Sequence, residues 1–552
     1  MTRGRELAVL AVIALSFAIS LGRATSYAFV WDDVKELETN AAFDRPLLEG
    51  LSLTQTERTD PELTTLSTIE LAYDSYRPLL FASFWIDIQL FGRSAGALHA
   101  VNLALGLVGI ALAYLVLRRW LAPPRALIAT AVFALHPVQI EAVAYISARG
   151  DLLAGVLALA CVLACLRAIA RPRSAGPRSG AEGGAEVIDA ERPALWVGLA
   201  ALAFAASLLA KEAYLALPVA IAALAWQRDR LRARWWVPAS LALVIVAYLV
   251  LRAAMVTSTT GGAISAALAA LPGILLQYLR IVVLPFDLST ERLLDGAYTV
   301  PGWLVAAAAL ALIVWLGTRA SPSARRGPAG PGLAKPAVAG LVWFGALLAP
   351  SAIAIASQRV VADRYAYLAV LGLAAAGVWG AAELIAARPR LRVPLVAVGA
   401  LWGALLLVVG WRQVPVWTDN ATLYTNAAAM APASSSAQYR LGVLETQRGR
   451  WPEAIAQFEA ALALDERNVL AWNNLGVGRL RTGDPAGAAA ALTRAVELAP
   501  AHFRAFYNLG LAKLALGDSA GGCAAIRRAL AINPTYQPAR AEVTSAGGRC
   551  SP

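Results

Sequence analysis

The sequence predicts an all-α fold, with a polytopic membrane domain of about eleven helices followed by a solenoid of helical repeats. Three observations predict it. The 552 residues are 59% hydrophobic and 15% charged, with a mean hydropathy of +0.59, which is too apolar for an ordinary soluble domain. Apolar runs of bilayer length recur through residues 1–411. Beyond them, short motifs recur at a spacing of 34 residues.

We assign residues 1–411 to the membrane domain. Basic residues cluster between its apolar runs, as they do in cytoplasmic loops, so the net charge of +12 favours a membrane topology over nucleic-acid binding. With the N-terminus in the cytoplasm, eleven spans place every basic cluster on the cytoplasmic side. The spans lie at about 7–26, 96–117, 126–142, 151–168, 194–210, 213–227, 235–254, 302–318, 337–356, 366–385 and 393–411.

One further apolar stretch, at about 264–285, does not fit this topology as a single crossing. If it crossed once, Arg325 and Arg326 would lie on the outer side, against the positive-inside rule. We therefore expect this stretch to be re-entrant, to lie in the membrane interface or to cross twice. The odd number of spans then places the chain after Trp411 on the outer side.

The first outer loop, residues 27–95, is long and carries many acids and hydroxyl residues. It ends in an amphipathic stretch that is too polar at Asp87 for a simple span, so we expect this stretch along the outer membrane face. Only four of the 48 basic residues are lysines, an arginine excess typical of a GC-rich bacterial genome. The predicted location is a bacterial inner membrane, with the outer loops and the repeats in the periplasm.

The repeat domain covers residues 433–552 and follows a linker at 412–432. Leu-Gly pairs and single glycines, alanines and prolines each recur every 34 residues, which is the tetratricopeptide period of one helical hairpin per repeat. Three repeats and a final helix bury a shared core and leave a concave face for a partner. Cys523 and Cys550 lie in this domain, and the sequence leaves open whether they form a disulfide.

Polar residues interrupt the apolar runs at several places, and the topology puts all of these places on the outer side. Ionisable groups at a membrane edge are costly unless they are paired or functional, so their convergence indicates a site. The residues are Asp32 and Asp33 after the first span, Arg77 in the first outer loop, His136, Glu141, Arg149 and Asp151 between the third and fourth spans, Lys211 and Glu212 between the fifth and sixth, and Arg359, Asp363, Arg364 and Tyr365 between the ninth and tenth.

This combination of residue types suits group transfer from a lipid phosphate. Arginine and lysine bind phosphate, and a carboxylate can act as the general base that activates an incoming hydroxyl. The three histidines share no metal-ligand spacing. Carboxylate oxygens suit Mg²⁺ or Mn²⁺, so the residues leave a divalent metal open.

Several motifs resemble the transmembrane and tetratricopeptide repeat-containing O-mannosyltransferases, which are similar to the protein O-mannosyltransferases of the C-type glycosyltransferase fold. The motifs are FVWDD, YRPL, ALHAVN, HPVQIEAVAYISARGDLLAG, KEAYLALP and DRYAYL, followed by the repeats. The resemblance implies a polyprenyl-phosphate-linked sugar donor, a Ser or Thr hydroxyl acceptor and an inverting single displacement. The chain departs from the animal members of that family in having three repeats rather than many.

In that fold an acidic residue of the first outer loop is the catalytic base, which corresponds here to Asp33 or else Asp32. We expect the repeats to hold the acceptor protein, and several outer cations to hold the donor phosphate. The phosphate ligands that we expect are Arg149, Lys211 and Arg364, with Arg77 and Arg359 behind them. The residues that we expect to orient the sugar or the acceptor are His136, Glu141, Asp151, Glu212 and Tyr365.

Two other functions are compatible with a membrane domain that carries repeats. A transporter or flippase of lipid-linked sugars should show duplicated halves and broken helices at the midplane, and neither is evident in the sequence. A non-catalytic scaffold, in which the membrane domain only anchors the repeats, needs no polar cluster on the outer side. The sequence therefore favours the glycosyltransferase.

Overall fold

The computed structural model describes residues 1–38, 40–51, 76–170, 193–228, 230–255, 261–286, 288–290, 292–294, 296–318, 335–358, 360–544 and 549–550. Side chains are described for all of these except residues 35–36, 261–263, 309–318 and 357–358. The described chain is helical and contains no strand, only one isolated bridge between Leu293 and Val360. The all-α prediction is therefore confirmed.

The membrane domain is built from seventeen described α-helices and several short 3-10 turns. The helices are α1 (Arg3–Gly22), α2 (Leu47–Leu51), α3 (Pro78–Phe91), α4 (Ala95–Trp120), α5 (Pro123–Leu135), α6 (Gln139–Ala144), α7 (Arg149–Ile169), α8 (Pro193–Ala210), α9 (Leu217–Gln227), α10 (Leu231–Arg234), α11 (Trp236–Met255), α12 (Gly261–Val283), α13 (Thr299–Thr318), α14 (Lys335–Leu348), α15 (Ser351–Gln358), α16 (Val370–Ala387) and α17 (Arg392–Gln413).

Eight helical segments among the described residues are long and apolar enough to cross a membrane. Seven of them coincide with predicted spans, and the eighth is Ile264–Val283. Three other predicted spans are shorter apolar helices, α5, α9 and α14. Pro137 and Pro350 lie two residues after the ends of α5 and α14, and proline lacks the N–H that would continue a helix. Pro218 lies in the first turn of α9, where proline is tolerated. The helix α13 coincides with the remaining predicted span.

The stretch that we excluded from the spans forms one continuous helix, α12, with Pro272 inside it. A double crossing or a re-entrant turn needs a break in the helix, so these two expectations are wrong. The C-terminal end of α12 is held from two sides, since the indole of Trp402 donates to the Val283 carbonyl over 2.9 Å and His136 Nε2 lies 2.8 Å from the Val282 carbonyl. An interfacial position remains a prediction.

The helix α7 lies at the centre of the membrane domain. It carries buried residues along its whole length and packs against α8 on one side and α4 on the other. Small residues let neighbours approach closely: a Cβ at Gly155 would lie 2.6 Å from the ring of Tyr367. The free cysteines Cys161 and Cys165 are buried in the same helix. The start of α7 carries Arg149 and Asp151 and therefore fixes two of the predicted site residues in the core.

After the membrane domain the chain forms α18 (Asn420–Met430) and then three helical hairpins with a final helix. The hairpins are α19 (Ser435–Gln447) with α20 (Trp451–Leu464), α21 (Val469–Arg481) with α22 (Pro485–Leu498), and α23 (Phe503–Ala515) with α24 (Ser519–Ile532), and the final helix is α25 (Gln537–Thr544). The segment 412–432, which we expected to be a linker, thus contains a helix.

The 34-residue motifs have a physical cause in each hairpin. Ser434, Asn468 and His502 each accept a hydrogen bond from the backbone N–H three residues later and so cap the first helix. Glycines at 449, 483 and 517 have φ of 72°, 83° and 84°, the left-handed conformation that glycine adopts without a Cβ penalty. The disulfide between Cys523 and Cys550 ties the C-terminal turn to α24.

Candidate functional site

The acid pair lies in a loop that returns onto the membrane domain directly after the first span. Asp33 is fully buried, and its Oδ1 accepts hydrogen bonds from the Ser147 hydroxyl and the Ser147 backbone N–H over 2.6 and 2.8 Å. Its Oδ2 accepts a third bond from the backbone N–H of Val30 over 3.3 Å. The structure therefore places Asp33 as the residue that fastens the loop to the segment before α7.

Asp32 has a different environment from its neighbour. It is half-buried, and its Oδ2 accepts a hydrogen bond from the hydroxyl of Tyr145 over 3.2 Å. A carboxylate with one such bond keeps lone pairs for a further donor. Of the two acids, only Asp32 is partly exposed.

Tyr145 stands between two tryptophans. Its ring stacks on Trp31 at 5.5 Å between centroids and on Trp417 at 5.4 Å. Such stacking fixes the plane of a ring and hence the direction of its hydroxyl. Trp31 itself has φ of 55°, which for a residue with a Cβ costs about 1–3 kcal/mol and persists only where the surroundings impose it.

A cluster of acids and cations lies beside Tyr145. Glu141 accepts hydrogen bonds from the backbone N–H of Arg364 over 3.0 Å and from the Arg364 guanidinium. Asp151 accepts from Lys211 Nζ over 2.6 Å and lies 3.8 Å from Arg364 Nε. The ring of Tyr365 lies under both cations, with centroid distances of 5.4 Å to Lys211 and 5.3 Å to Arg364. The structure thus brings together five residues from three segments that are distant in the sequence.

Tyr145 connects this cluster to the acid pair. Its hydroxyl donates to Asp32, and its ring centroid lies 5.7 Å from the guanidinium carbon of Arg364. One side chain therefore contacts both the accessible carboxylate and a cation of the cluster.

The cations of the site differ in how accessible their side chains are. Lys211 and Arg364 are 12% and 18% exposed, and Arg77, which pairs with Glu212 through two bonds of 3.1 and 2.8 Å, is 20% exposed. An ammonium has three N–H donors and a guanidinium has five, so their pairing with carboxylates leaves donors for a ligand at Lys211 and Arg364.

Arg149 is the exception among these cations because its side chain is completely buried. It donates to Asp87 over 2.5 Å, to Asn102 over 2.7 Å and to the Leu98 carbonyl over 3.1 Å, and it lies over the ring of Phe84. These contacts join α3, α4 and α7. The geometry supports a role for Arg149 in holding the first outer loop onto the core.

The side chain of His136 contacts only backbone atoms among its described hydrogen bonds, as a structural residue would. Its Nδ1 accepts from the backbone N–H of Val138 over 3.2 Å, so its Nε2 carries the proton that points to the Val282 carbonyl. Arg359 lies outside the described residues, and its expected role stays a prediction. The neighbouring Asp363 forms a buried ion pair of 2.6 Å with Arg292.

Sequence reasoning missed four residues that the structure places at the site: Tyr145, Ser147, Trp417 and Arg292. Tyr145 and Ser147 lie inside the HPVQIEAVAYISARGDLLAG segment, so a search of that motif for hydroxyl groups would have found them. Trp417 and Arg292 have no comparable signal, because they lie in segments without a motif. Among the described residues, no group of three or more His, Cys, Asp or Glu side chains is arranged to hold a metal ion.

Comparisons with known proteins agree with the predicted repeats. Two family models match, a TPR repeat at residues 442–483 and a tetratricopeptide repeat at residues 473–536. A search of curated proteins gave no match. Residues 442–536 are therefore tetratricopeptide repeats, which confirms the prediction for this part of the chain.

Solved structures resemble different parts of the chain at low identity. The structure of ArnT from Cupriavidus metallidurans bound to undecaprenyl phosphate is 15% identical, with a TM-score of 0.35, over 96% of this chain and 80% of that chain. The first TPR of Spaghetti (RPAP3) bound to an HSP90 peptide is 22% identical, with a TM-score of 0.20, over 20% of this chain and 86% of that chain. A MamA protein is 20% identical, with a TM-score of 0.20, over 31% of this chain and 86% of that chain.

Proposed function

We propose that the chain is a membrane glycosyltransferase that moves a sugar from a polyprenyl-phosphate-linked donor to a Ser or Thr hydroxyl of a protein. Mannose is the sugar that the family resemblance implies. The observation that carries the proposal is the double contact of Tyr145, which joins the accessible carboxylate of Asp32 to the cation cluster at Arg364. A base and a phosphate site next to each other are the two parts that this transfer needs.

In the proposed reaction Asp32 accepts the proton of the acceptor hydroxyl. The acceptor oxygen forms a bond to the anomeric carbon while the bond from that carbon to the phosphate oxygen breaks. The bonding electrons leave with the phosphate, so the products are the glycosylated protein, polyprenyl phosphate and a protonated carboxyl. Attack opposite to the leaving group inverts the anomeric configuration, as expected for a single displacement.

Lys211 and Arg364 hold the departing phosphate in this proposal, and Arg77 lies behind them. The charge that develops on the leaving phosphate is stabilised by cations that are already in place, which costs no reorganisation during the reaction. Tyr365 fixes the direction of both cations through its ring. We infer that the phosphate is held by the partly exposed cations rather than by Arg149, whose side chain is completely buried.

The acceptor in this proposal is a polypeptide that binds along the repeats. The first helices of the hairpins carry a row of polar side chains that bond across helices, from Asn474 to the Tyr439 hydroxyl over 3.2 Å and from Asn508 to Asn473 over 3.0 Å. An amide side chain has both donors and acceptors and therefore matches the backbone of an extended peptide. In this proposal the row faces the concave side of the solenoid, where Asn474 and Asn508 are half-buried and Asn473 is buried beneath them.

The test replaces Asp32 and Asp33 separately with Asn and compares them as a matched pair. We expect Asp32→Asn to lower sugar transfer on the order of 10²-fold or more, the usual effect of losing a general base. Asp33→Asn keeps an oxygen for the two bonds from Ser147, so transfer should fall by less than about tenfold. Transfer from polyprenyl-phosphate mannose is measured in membranes with equal amounts of folded protein.

Equal activity of the Asp32→Asn variant and the unchanged protein would show that the base is elsewhere. Mass spectrometry of periplasmic proteins, from cells with and without this chain, identifies the sugar by its mass and the acceptor by its modified residue. Translocation of a lipid-linked sugar without any modified protein would instead favour a flippase.

A further inference from the structure

The residue before the acid pair adopts an unfavourable backbone conformation. Trp31 has φ of 55°, in the left-handed region, where a side chain with a Cβ is crowded. The helical turn that starts after it carries Asp32 and Asp33. The direction in which the two carboxylates point therefore depends on whether Trp31 keeps this conformation.

The contacts that hold Trp31 come from the part of the chain after the last membrane helix. Its backbone N–H donates to Asn420 Oδ1 over 2.7 Å, and Asn420 is the first residue of α18. The guanidinium of Arg440, in the first helix of the first repeat, lies 4.7 Å from the centre of the Trp31 ring. A third contact joins the same segments, since the Ala28 N–H donates to the Thr418 carbonyl over 3.2 Å.

On the membrane side, the Trp31 ring stacks on Tyr145, whose hydroxyl donates to Asp32. A change in the position of Trp31 would therefore change two things together, the turn that carries Asp32 and the ring that bonds it. The Trp31 ring is thus in contact with both Tyr145 and Arg440, and packing from two sides restricts the rotamers of a side chain.

We propose that the first helices after the membrane domain belong to the active site, with Asn420 and Arg440 as positioning residues that hold Trp31 and thereby aim Asp32. The inference rests on the proposed function, because it assigns to Asp32 the role of base. The repeat domain then does more than bind an acceptor: the chemical step itself requires its first helix to be docked on the loop.

The first test measures the chemical step in the full-length chain. We expect Asn420→Ala and Arg440→Ala to lower turnover per bound donor by about tenfold or more, since small misplacements of a reacting group cost up to about 10²-fold. The KM for the donor should stay within about twofold, because the phosphate site is not touched. Arg440→Lys keeps a cation over the ring and should restore most of the turnover.

The matched control is Arg481→Ala. Arg481 also places its guanidinium over a tryptophan of the repeat domain, Trp451 at 5.7 Å, and among the described residues neither of the two has a side-chain bond or ring contact with the loop of the acid pair. Turnover of this variant should equal that of the unchanged chain. Normal turnover in both Asn420→Ala and Arg440→Ala, or an equal loss in Arg481→Ala, overturns the proposal.

The second test does not depend on sugar transfer. Hydrogen exchange at the Trp31 amide should become roughly two- to tenfold faster in Asn420→Ala. A change of this size in the opening equilibrium corresponds to the net contribution of one hydrogen bond. Unchanged exchange there overturns the positioning role, whatever the activity. Faster exchange together with a fully active Asp32→Asn variant overturns the proposed base instead, so the two failures can be told apart.

A double variant separates positioning from general destabilisation. Glycine adopts a positive φ without a Cβ penalty, so Trp31→Gly removes the strain that Asn420 must hold. If Asn420 acts by holding that strain, adding Asn420→Ala to Trp31→Gly should change turnover by less than about twofold. If Asn420→Ala lowers turnover as much in the Trp31→Gly variant as it does in the otherwise unchanged chain, this explanation is overturned.

Discussion

Replacing Asp151 with Asn tests the phosphate site through a gain of binding. Asp151 is 2% exposed at its side chain, and its carboxylate lies 2.6 Å from Lys211 Nζ and 3.8 Å from Arg364 Nε. Without this charge, Lys211 loses the carboxylate that it bonds, and Arg364 keeps only its pairing with Glu141. If a lipid phosphate binds at these cations, it competes with Asp151 for them, and the variant should bind it more tightly.

The size of both effects follows from the geometry. Breaking a buried ion pair costs about 3–5 kcal/mol, and the lower end applies because Lys211 and Arg364 keep 12% and 18% of their side-chain surface exposed. Two anions about 5 Å apart repel by about 3 kcal/mol at an effective dielectric constant of about 20. We therefore expect a less stable ligand-free protein whose affinity for undecaprenyl phosphate is about tenfold higher or more.

The assay measures thermal unfolding and lipid binding of the detergent-purified chain over a titration with undecaprenyl phosphate. The control is Asp87→Asn, which removes the carboxylate from the completely buried Arg149. This control should be destabilised at least as much, because Arg149 is completely buried, but without any gain in affinity. A weaker or unchanged affinity in Asp151→Asn, or an equal gain in Asp87→Asn, would refute the assignment of the phosphate to Lys211 and Arg364.

Two further predictions concern the repeat domain. His502 is buried and caps α23 through Nδ1, and burial lowers its pKa to about 4. Because the unfolded chain binds the proton more readily, with a pKa near 6.5, stability should fall by about 2 kcal/mol from pH 7 to pH 5. His502→Asn keeps a cap of the kind seen at Asn468 and should remove most of this loss of stability. The measurement is the urea midpoint for proteolysis of the repeat domain at pH 7 and pH 5. An unchanged loss of stability in the variant would exclude His502 as its source. Replacing both Asn474 and Asn508 with Ala should raise the KM for a polypeptide acceptor by about tenfold, since each lost contact is worth about 0.5–1.5 kcal/mol. The KM for the donor should stay unchanged. If the double variant and the unchanged chain have the same KM for the acceptor, the acceptor does not bind along this row.

The repeats show how far a periodic sequence determines a structure. Gly442, Gly476 and Gly510 belong to the 34-residue pattern, and a Cβ at each would lie 2.6, 2.4 and 2.4 Å from side chains of the second helix of its hairpin. The contact is local and is repeated, so the spacing is visible without any tertiary information. The same holds for the apolar runs, whose length alone indicates a membrane span.

The acid pair shows where such reasoning stops. The sequence predicts that Asp32 and Asp33 belong to one site, and it gives them equal standing because they are neighbours after the same span. The structure separates them, since Ser147 saturates one oxygen of Asp33 whereas Asp32 keeps a single bond from Tyr145 among the described residues. A difference of this kind depends on contacts across more than 110 positions of the chain, as the separations of 113 and 114 residues show.

The amino-acid sequence by itself determined the class of this protein: apolar spans, basic clusters between them, polar residues at one end of the spans and a repeat of 34 residues. These features are local or periodic, and the physics of burial acts on them directly. Only the tertiary structure decided that Arg149 is completely buried while Lys211 and Arg364 remain accessible, and that a repeat helix contacts the loop of the acid pair. Which polar groups pair, and which keep capacity for a ligand, depends on packing between distant segments.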